Sequence, residues 1–443
     1  MAGSGQPAMV QRFSGLPARI KKIAHEAGFD LCGLAAVRDF SELNVFPEWI
    51  ADGRHGEMKY MAARDEAGEL KRAALARVAP WARSVIVCAI NYNTAQPYST
   101  QTIDASRGWI SRYAWSREDY HDAVLQRLRD VEERVRKEVA NSARRPSAAK
   151  AVVEGTGPTA ALKRCATPNQ SFSAACESMP SPNAIPVSGA SPVFGADSSL
   201  DPPITEHVFR CYVDTGPLVE RVYAKYAGIG WIGKNTCIIN QKLGSWLFLG
   251  VILTSMELAN SLSSDAPASD FSSADLPAPD RCGTCTRCIV ACPTQAITAP
   301  GELDARLCIS YLTIEKRGEI SEGLRAGMGR HVFGCDICQD VCPWNRKAPV
   351  TAAEEFQPRE GLVNPALEWL AEMEPDEFRA VFRGSPVRRA KLSGLRRNAA
   401  IAMGNSGDEK FVPTLKKIAG DQDAVVAEHA RWALGRMKSQ YTE

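Results

Sequence analysis

The order of apolar and polar positions divides the chain into a mixed helix and strand part and a helical C-terminal part. In the first part, residues 16–27 repeat apolar side chains at helical spacing, and the charged, heptad-like stretch 119–139 predicts a long helix. Four segments predict strands, at 31–37, 84–90, 207–214 and 247–253. Strands mixed with helices predict an α/β or α+β core.

Two stretches without periodicity interrupt this pattern. Ser, Pro and Ala make up 31 of the 66 residues from 141 to 206, a composition that predicts a disordered insertion. The second stretch, 259–280, is rich in Ser, Asp, Ala and Pro and predicts a flexible tether. We therefore expect an α/β domain at 10–258, the tether, a cysteine-rich domain at 281–350 and a helical module at 351–443.

The helical module carries a repeat and a local excess of positive charge. Segments 397–404 and 428–435 resemble each other at an offset of 31 residues, which predicts a pair of HEAT-like helical repeats. Between residues 376 and 397, seven basic residues stand against two acidic ones. A solvated helix face explains this surplus as well as contact with nucleic-acid phosphates does.

Overall composition says little about partners. Lys plus Arg (53) nearly balances Asp plus Glu (51), so any nucleic-acid contact needs a local patch. Residues 1–17 contain no apolar core of a signal peptide, and no later stretch offers about 18 consecutive apolar residues. We expect a cytoplasmic protein without a membrane segment, with monomer as the default state.

The cysteines indicate metal binding, because eight of 14 fall within the 61 residues from 282 to 342. The run Cys282-x2-Cys285-x2-Cys288-x3-Cys292-Pro293 has the spacing of a bacterial ferredoxin motif, whose fourth cysteine serves the other cluster. The second run, Cys335-x2-Cys338-x3-Cys342-Pro343, has Val332 where a first cysteine would stand, and Cys308 is the remaining cysteine of the region.

This spacing predicts two [4Fe-4S] clusters. The first would be held by Cys282, Cys285, Cys288 and Cys342, and the second by Cys292, Cys308, Cys335 and Cys338. A pair of structural zinc sites is the alternative, since Cys-x2-Cys pairs also suit tetrahedral zinc. Of the other cysteines, Cys32 and Cys88 are expected in the core, and no chemistry is assigned to Cys165, Cys176, Cys211 and Cys237.

The source and destination of the electrons must both lie outside these clusters. No Gly-x-Gly-x-x-Gly fingerprint opens a βαβ unit, so a bound nicotinamide is not expected. Electrons would then arrive singly from an external donor such as a flavodoxin or a ferredoxin. They would be delivered to another organic cofactor in the first domain.

Six segments together resemble the epoxyqueuosine reductase family: Gly56-Glu-Met-Lys-Tyr, Arg112-Tyr-Ala-Trp, Val213-Asp-Thr-Gly-Pro, Gly230-Trp-Ile-Gly-Lys-Asn, Cys308-Ile-Ser-Tyr-Leu-Thr-Ile-Glu and Gly334-Cys-Asp-Ile-Cys-Gln-Asp-Val-Cys-Pro-Trp-Asn. The resemblance covers nearly the whole chain outside the two low-complexity stretches. It implies a base-off cobalamin between the α/β domain and the ferredoxin-like domain. It also implies a tRNA substrate whose wobble epoxyqueuosine is reduced to queuosine, the last step of queuosine biosynthesis.

The resemblance also implies site residues. Asp214 would donate a proton during epoxide removal, although an Asp before Thr-Gly-Pro is by itself typical of a turn. His121 is expected to be an ordinary polar surface residue. Cobalamin contacts are expected from the glycine-rich loop and the residues after it, although such a loop suits a plain structural turn equally well, and from four residues elsewhere. The loop residues are Gly230, Trp231, Gly233, Lys234, Asn235 and Ile238, and the others are Met58, Tyr92, Arg112 and Asp214 itself.

On the tRNA side, the resemblance turns the basic surplus into a predicted contact with anticodon-stem phosphates. The residues expected to make it are Arg388, Arg389, Lys391, Arg396 and Arg397. The modified base itself would be bound in the cofactor pocket.

Two alternatives remain on sequence grounds. A cobalamin-dependent reductive dehalogenase also combines cobalamin with two cubane clusters, but terminal helical repeats and the lack of an export signal count against it. A ferredoxin-like electron carrier without its own active site would need neither a 200-residue α/β domain nor a basic helical tail.

Overall fold

The computed structural model describes residues 15–102, 104–144, 207–258 and 277–440. Most of the predicted insertion and tether, the first residues of the expected α/β domain, Cys165 and Cys176 lie outside these ranges. Within them, the helices are α1 (Leu16–Glu26), α2 (Phe46–Ala51), α3 (Leu75–Val78), α4 (Tyr120–Arg144), α5 (Glu220–Tyr226), α6 (Arg287–Val290), α7 (Ile309–Ile314), α8 (Glu322–Arg325), α9 (Ile337–Asp340), α10 (Leu367–Glu372), α11 (Pro375–Val381), α12 (Lys391–Ser406), α13 (Val412–Ile418) and α14 (Ala424–Gln440).

The strands are short apart from two central ones. They are β1 (Leu31–Ala36), β2 (Ser84–Asn91), β3 (Trp109–Ile110), β4 (Phe209–Tyr212), β5 (Trp231–Ile232), β6 (Ile238–Ile239), β7 (Leu247–Thr254), β8 (Ile297–Ala299), β9 (Glu302–Leu303) and β10 (His331–Phe333). The four predicted strands and the two predicted helices are confirmed, although β4 is shorter than the segment 207–214.

The first unit is built on a four-stranded sheet with the order β1-β2-β7-β4. Every neighbouring pair in it is antiparallel, so the unit is of the α+β kind. All eight residues of β2 are buried, because helices cover both faces of the sheet. Ile86, Cys88 and Ile90 pack with α1 and α4, whereas the alternate residues of β2 pack with α5.

The cysteine-rich segment is joined to the first unit by backbone pairing. Strand β10 runs parallel to β3, with His331 opposite Trp109 and Phe333 opposite Ile110. Trp109, Ile110 and Phe333 are buried in the same core as the C-terminal helices α10 to α14. The hydrophobic core therefore continues across the expected domain boundaries. The division of the chain into these domains stays a prediction.

Helices α12 and α14 contain the two similar sequence segments and pack against each other, with Gly404 of α12 directly against Ala433 of α14. Their classification as HEAT-like repeats remains a prediction. No helix of the described ranges is both long and apolar enough to cross a bilayer.

Two buried polar side chains of α12 attach the C-terminal helices to the cysteine-rich segment. The guanidinium of Arg397 donates hydrogen bonds to the carbonyl oxygens of Leu312, Lys316 and Gly318, at 2.8 to 3.0 Å. The amide of Asn398 donates to Thr313 and Val332. Both side chains are almost fully buried, and they satisfy carbonyl groups that have left water.

We predict that Arg397→Met lowers the free energy of unfolding by about 2–4 kcal/mol, because three buried carbonyl groups lose a charged donor. The melting temperature of the cluster-loaded protein should fall by several degrees. Arg388→Met, which removes an exposed arginine from the same basic segment, should change stability by no more than about 0.5 kcal/mol. Equal melting temperatures for the two variants would contradict this role of Arg397.

Candidate active site

A cavity of about 380 Å³ lies where the α+β unit meets the cysteine-rich segment. Tyr92, Asp214 and Asn235, all predicted site residues, line this cavity. So do residues that sequence analysis did not single out. The main side chains around it are Tyr92, Tyr113, Tyr120, Asp214, Glu220, Arg221, Asn235, Cys237, Phe248, Cys292, Cys308, Cys335, Asp336 and Cys338.

Asp214 follows strand β4 and has a positive backbone φ of 56°, which L residues seldom adopt. Its carboxylate accepts a hydrogen bond from the hydroxyl of Tyr120 at the start of α4. Burial and the charge of Asp214 raise the pKa of Tyr120, so the phenol stays protonated as the donor. About half of the Asp214 side chain remains exposed, which leaves it accessible from the cavity.

His121 is partly buried beside Asp214 rather than isolated on the surface. Its Nε2 lies 3.8 Å from Asp214 Oδ2, and its Nδ1 lies 2.8 Å from Asp119 Oδ1. Burial opposes ionisation of Asp119, but hydrogen bonds from His121 lower the pKa of that carboxyl overall. Asp119, His121 and Asp214 thus form a chain of polar groups that leads into the cavity.

Glu220 adds a second carboxyl group to this wall. It begins helix α5, and its buried Oε1 has no hydrogen-bond partner among the described residues. Burial, reinforced by the charge of Asp214, raises the pKa of Glu220 to about 7. This carboxyl can therefore hold a proton near neutral pH beside Asp214.

The eight clustered cysteines occupy two different positions relative to the cavity. The four that line it are named the inner set: Cys292, Cys308, Cys335 and Cys338. None of the other four, named the outer set, lines the cavity: Cys282, Cys285, Cys288 and Cys342. These two sets coincide with the two ligand groups expected from spacing, and the ligand assignment stays a prediction.

Contacts within each set agree with this division. Cys342 and Cys282 belong to one apolar cluster with Trp231 and Trp344. Burial and, to a lesser extent, the neighbouring thiols of Cys282 and Cys288 raise the pKa of Cys342 to about 11. In the inner set, burial and then the nearby Cys308 raise the pKa of Cys335. These contacts make members of each set neighbours, and the assignment of four sulfur ligands to each [4Fe-4S] cluster stays a prediction.

Asp336, next to Cys335, attaches the inner set to the first unit. Its buried carboxylate accepts hydrogen bonds from Trp109 Nε1 at 3.0 Å, from the Arg112 backbone N–H at 2.8 Å and from the Ser111 hydroxyl. Sequence analysis missed this residue because its donors are more than 200 positions away.

Cys237 also lies beside the inner set, although no chemistry was assigned to it. Its thiol is hydrogen-bonded with that of Cys338, and its backbone N–H donates to the Asn235 side chain at 3.3 Å. Asn235 in turn donates to the Cys338 carbonyl at 3.3 Å. The end of the glycine-rich loop therefore contacts the inner cysteines.

Most other residues expected to contact the cofactor do not line the cavity. Gly230 allows close packing of strands β5 and β6, since a Cβ there would lie 2.3 Å from the Ile239 carbonyl oxygen. Trp231 is buried against Trp344, with ring centroids 5.0 Å apart. Four others also lie away from the cavity lining: Met58, Gly233, Lys234 and Ile238.

Arg112 has a structural position instead. Its guanidinium is buried and donates to the carbonyl oxygens of Thr94, Gln96 and Pro97. It also lies over the ring of Trp246, 5.2 Å from its centroid. The expected contact between the Arg112 side chain and a cofactor in this cavity is therefore contradicted, because the guanidinium is used within the fold and does not line the cavity.

The five arginine and lysine residues expected to contact tRNA differ in exposure. Arg388, Arg389 and Lys391 are exposed. Arg396 is mostly buried and pairs with Asp421 at 2.6 Å, and Arg397 is fully buried. A phosphate contact from Arg397 is thus contradicted by its burial, because its guanidinium is used within the fold.

Comparison with known proteins assigns the family. Residues 281–345 match the family model described as 4Fe-4S double cluster binding domain, and residues 72–153 match Epoxyqueuosine reductase QueG, DUF1730. An epoxyqueuosine reductase of Xanthomonas campestris is 34% identical over 423 residues, which cover 95% of each chain. The chain belongs to the epoxyqueuosine reductase family. The Escherichia coli member is 31% identical over 424 residues, 95% of this chain and 89% of the relative.

Solved structures share the fold. A crystal structure of epoxyqueuosine reductase with an epoxyqueuosine-modified tRNA-Tyr stem loop superposes with a TM-score of 0.69 at 23% identity, covering 96% of this chain and 90% of that one. The Streptococcus thermophilus epoxyqueuosine reductase gives a TM-score of 0.69 at 24% identity, covering 96% and 91%. Family membership makes the cysteine-rich segment a double [4Fe-4S] domain, so the zinc alternative is set aside.

We predict that Cys308→Ser reduces the iron content of the anaerobically reconstituted protein from about eight to about four atoms per chain, because one of two cubes loses a ligand. Cys211→Ser should retain about eight, since Cys211 lies on β4 and contacts Glu132. Iron and sulfide analysis measures both. An unchanged iron content in Cys308→Ser would contradict the proposed ligand set.

Proposed function

We propose that this chain reduces epoxyqueuosine in tRNA to queuosine at the cavity between the α+β unit and the inner cysteine set. The observation that carries the proposal is the position of Asp214, which lines the same cavity as all four inner cysteines. A proton donor and an electron source thus border one space. Family membership supplies the identity of the substrate and of the reaction.

Cobalamin is the organic cofactor that the family implies, and the residues of the cavity suit it. Tyr92, Phe248 and Tyr120 form one aromatic stack that lines the cavity, with ring centroids 4.3 Å apart in each neighbouring pair, and this stack offers an aromatic wall beside which a macrocycle could lie. The inner cysteines provide another wall from which electrons can arrive. When bound, the cofactor would supply a reduced cobalt centre for two-electron chemistry at the epoxide.

The chain's own residues account for the protons. Conversion of an epoxide to an alkene takes up two electrons and two protons and releases water. We propose that Asp214 takes up a proton before the reaction and gives it to the departing oxygen, which leaves Asp214 as a carboxylate; the proton is needed because an alkoxide is a poor leaving group. The Tyr120 hydroxyl holds the carboxylate in position, and Glu220, whose pKa is raised to about 7, is a source for the second proton.

The tRNA would be held from the C-terminal side. Arg388, Arg389 and Lys391 are exposed at the junction between a short 3-10 helix, Pro386–Ala390, and α12. Phosphate contacts there would orient the anticodon stem without reading its sequence. We also propose that the enzyme acts in the cytoplasm, where tRNA is modified, as a monomer.

The alternative functions have less support. A simple electron carrier needs no substrate cavity, yet the inner cysteines border one that is also lined by three carboxyl groups, those of Asp214, Glu220 and Asp336. A reductive dehalogenase is disfavoured because the relatives that match almost the full chain are epoxyqueuosine reductases.

We expect Asp214→Asn to slow single-turnover conversion of an epoxyqueuosine-containing stem loop by about 10²–10⁴-fold, the usual contribution of a positioned acid. Mass spectrometry of the digested RNA measures queuosine formed. Asp122→Asn, an exposed substitution in the first turn of helix α4, two positions after Tyr120, should convert the stem loop at the wild-type rate. A wild-type rate in Asp214→Asn with full iron and cobalamin content would rule out Asp214 as the acid.

A further inference from the structure

The outer cysteine set lies close to the protein surface. Cys282, Cys285 and Cys288 are all partly exposed in the loop and helix α6. Val290, the last residue of α6, is 81% exposed, more than any other large apolar side chain in the described ranges. An electron that enters through the outer set therefore has a short route from solvent, next to an apolar contact point.

Basic residues surround this position. Arg281 and Arg287 are exposed on either side of the first cysteines, and Lys234 donates to the Gly283 carbonyl at 2.6 Å. The turn that carries Lys242 packs by Gly244 against Trp344, which precedes Arg346 and Lys347. We call Val290 and the six basic residues of this region the outer-cluster surface. The six are Lys234, Lys242, Arg281, Arg287, Arg346 and Lys347.

The positive charge of this surface is not neutralised within the described chain. None of its six basic residues forms an ion pair with another described residue, although ion pairs are frequent elsewhere in the protein. Of the acidic neighbours, Glu302 pairs with Arg54. Asp280, which accepts a hydrogen bond from the Cys282 backbone at 2.8 Å, adds one negative charge against six positive ones. The surface therefore attracts an acidic partner.

An acidic protein suits this surface better than RNA does. The cavity that would hold the modified base is lined by the inner cysteines and by none of the outer ones. The exposed Val290 offers an apolar contact, which a phosphate backbone does not use. Complexes between electron-transfer proteins are small, transient and steered by complementary charge, as this surface would allow.

We propose that the outer-cluster surface docks an acidic one-electron carrier protein, of the flavin or iron–sulfur class, which reduces the outer cluster. This inference rests on the proposed function, since it names where the reducing equivalents enter. Each docking event transfers one electron, so that the carrier is oxidised and the outer cluster is reduced, by one electron each. Two such events supply the two electrons of one epoxide reduction.

The test uses the full, reconstituted protein and a reduced bacterial flavodoxin as the carrier. In stopped-flow measurements, the double variant Arg281→Glu/Arg287→Glu should accept electrons at least about tenfold more slowly than the wild type at low salt. The wild-type rate should fall as the ionic strength rises, because the attraction is electrostatic. The rate of the double variant should depend much less on ionic strength. Reduction by dithionite, a small chemical donor, should proceed as in the wild type.

The matched control is Lys22→Glu/Arg129→Glu, which makes the same change in net charge on exposed positions of α1 and α4. It should be reduced by flavodoxin at the wild-type rate. Equal slowing in both double variants, or none in either, would overturn the proposal. So would a loss of stem-loop affinity with an unchanged flavodoxin rate, which would assign the surface to RNA. Epoxyqueuosine conversion driven by dithionite tests the proposed function separately.

Discussion

The buried carboxylate of Asp336 is the interaction on which the geometry of the site depends. It accepts three hydrogen bonds from consecutive parts of one segment, Trp109 and Ser111-Arg112, while the adjacent Cys335 belongs to the inner cysteine set. Burial raises the pKa of Asp336, and the three donors act in the opposite direction. A buried charge is stable only when it is fully hydrogen-bonded, so this arrangement holds the two units in one relative position.

That position determines what the cavity can do. The segment that binds Asp336 continues to Tyr113 and then to Tyr120 at the start of α4, and both tyrosines line the cavity. Tyr120 holds Asp214, so the proposed acid is placed relative to the inner cysteines through a short series of contacts. On the far side, Arg397 and Asn398 attach the C-terminal helices to α7, next to Cys308.

Local patterns account for what could be predicted. Strand β2 is a continuous apolar run because helices bury both its faces, and the cysteine spacing follows from the short loops that surround a cubane cluster. Asp214 was identified from a family motif. The run Asp119-Tyr120-His121 is a further local signal for the site, since it places three polar or aromatic groups together where the long helix α4 begins.

Long-range partners account for what could not. The hydrogen-bond donors to Asp336 come from a segment distant in sequence. The role of Glu220 depends on a buried carboxyl oxygen that has no hydrogen-bond partner among the described residues. Arg397 was expected on the surface because charge alone was considered, yet the carbonyl groups that it satisfies come from α7 and the turn after it. Gly230 and Trp231 were expected at the cofactor because a glycine-rich loop does not distinguish tight hairpin packing from ligand contact.

The central claim is that the inner cluster and the cofactor share the cavity. Electron paramagnetic resonance of the cobalamin-loaded protein, with cobalt as cob(II)alamin and the clusters reduced, tests it most directly. We predict a cobalt signal broadened or split by the nearby inner cluster, and a sharp signal in Cys308→Ser, which lacks that cluster. Identical, unbroadened cobalt signals in both proteins would contradict the account.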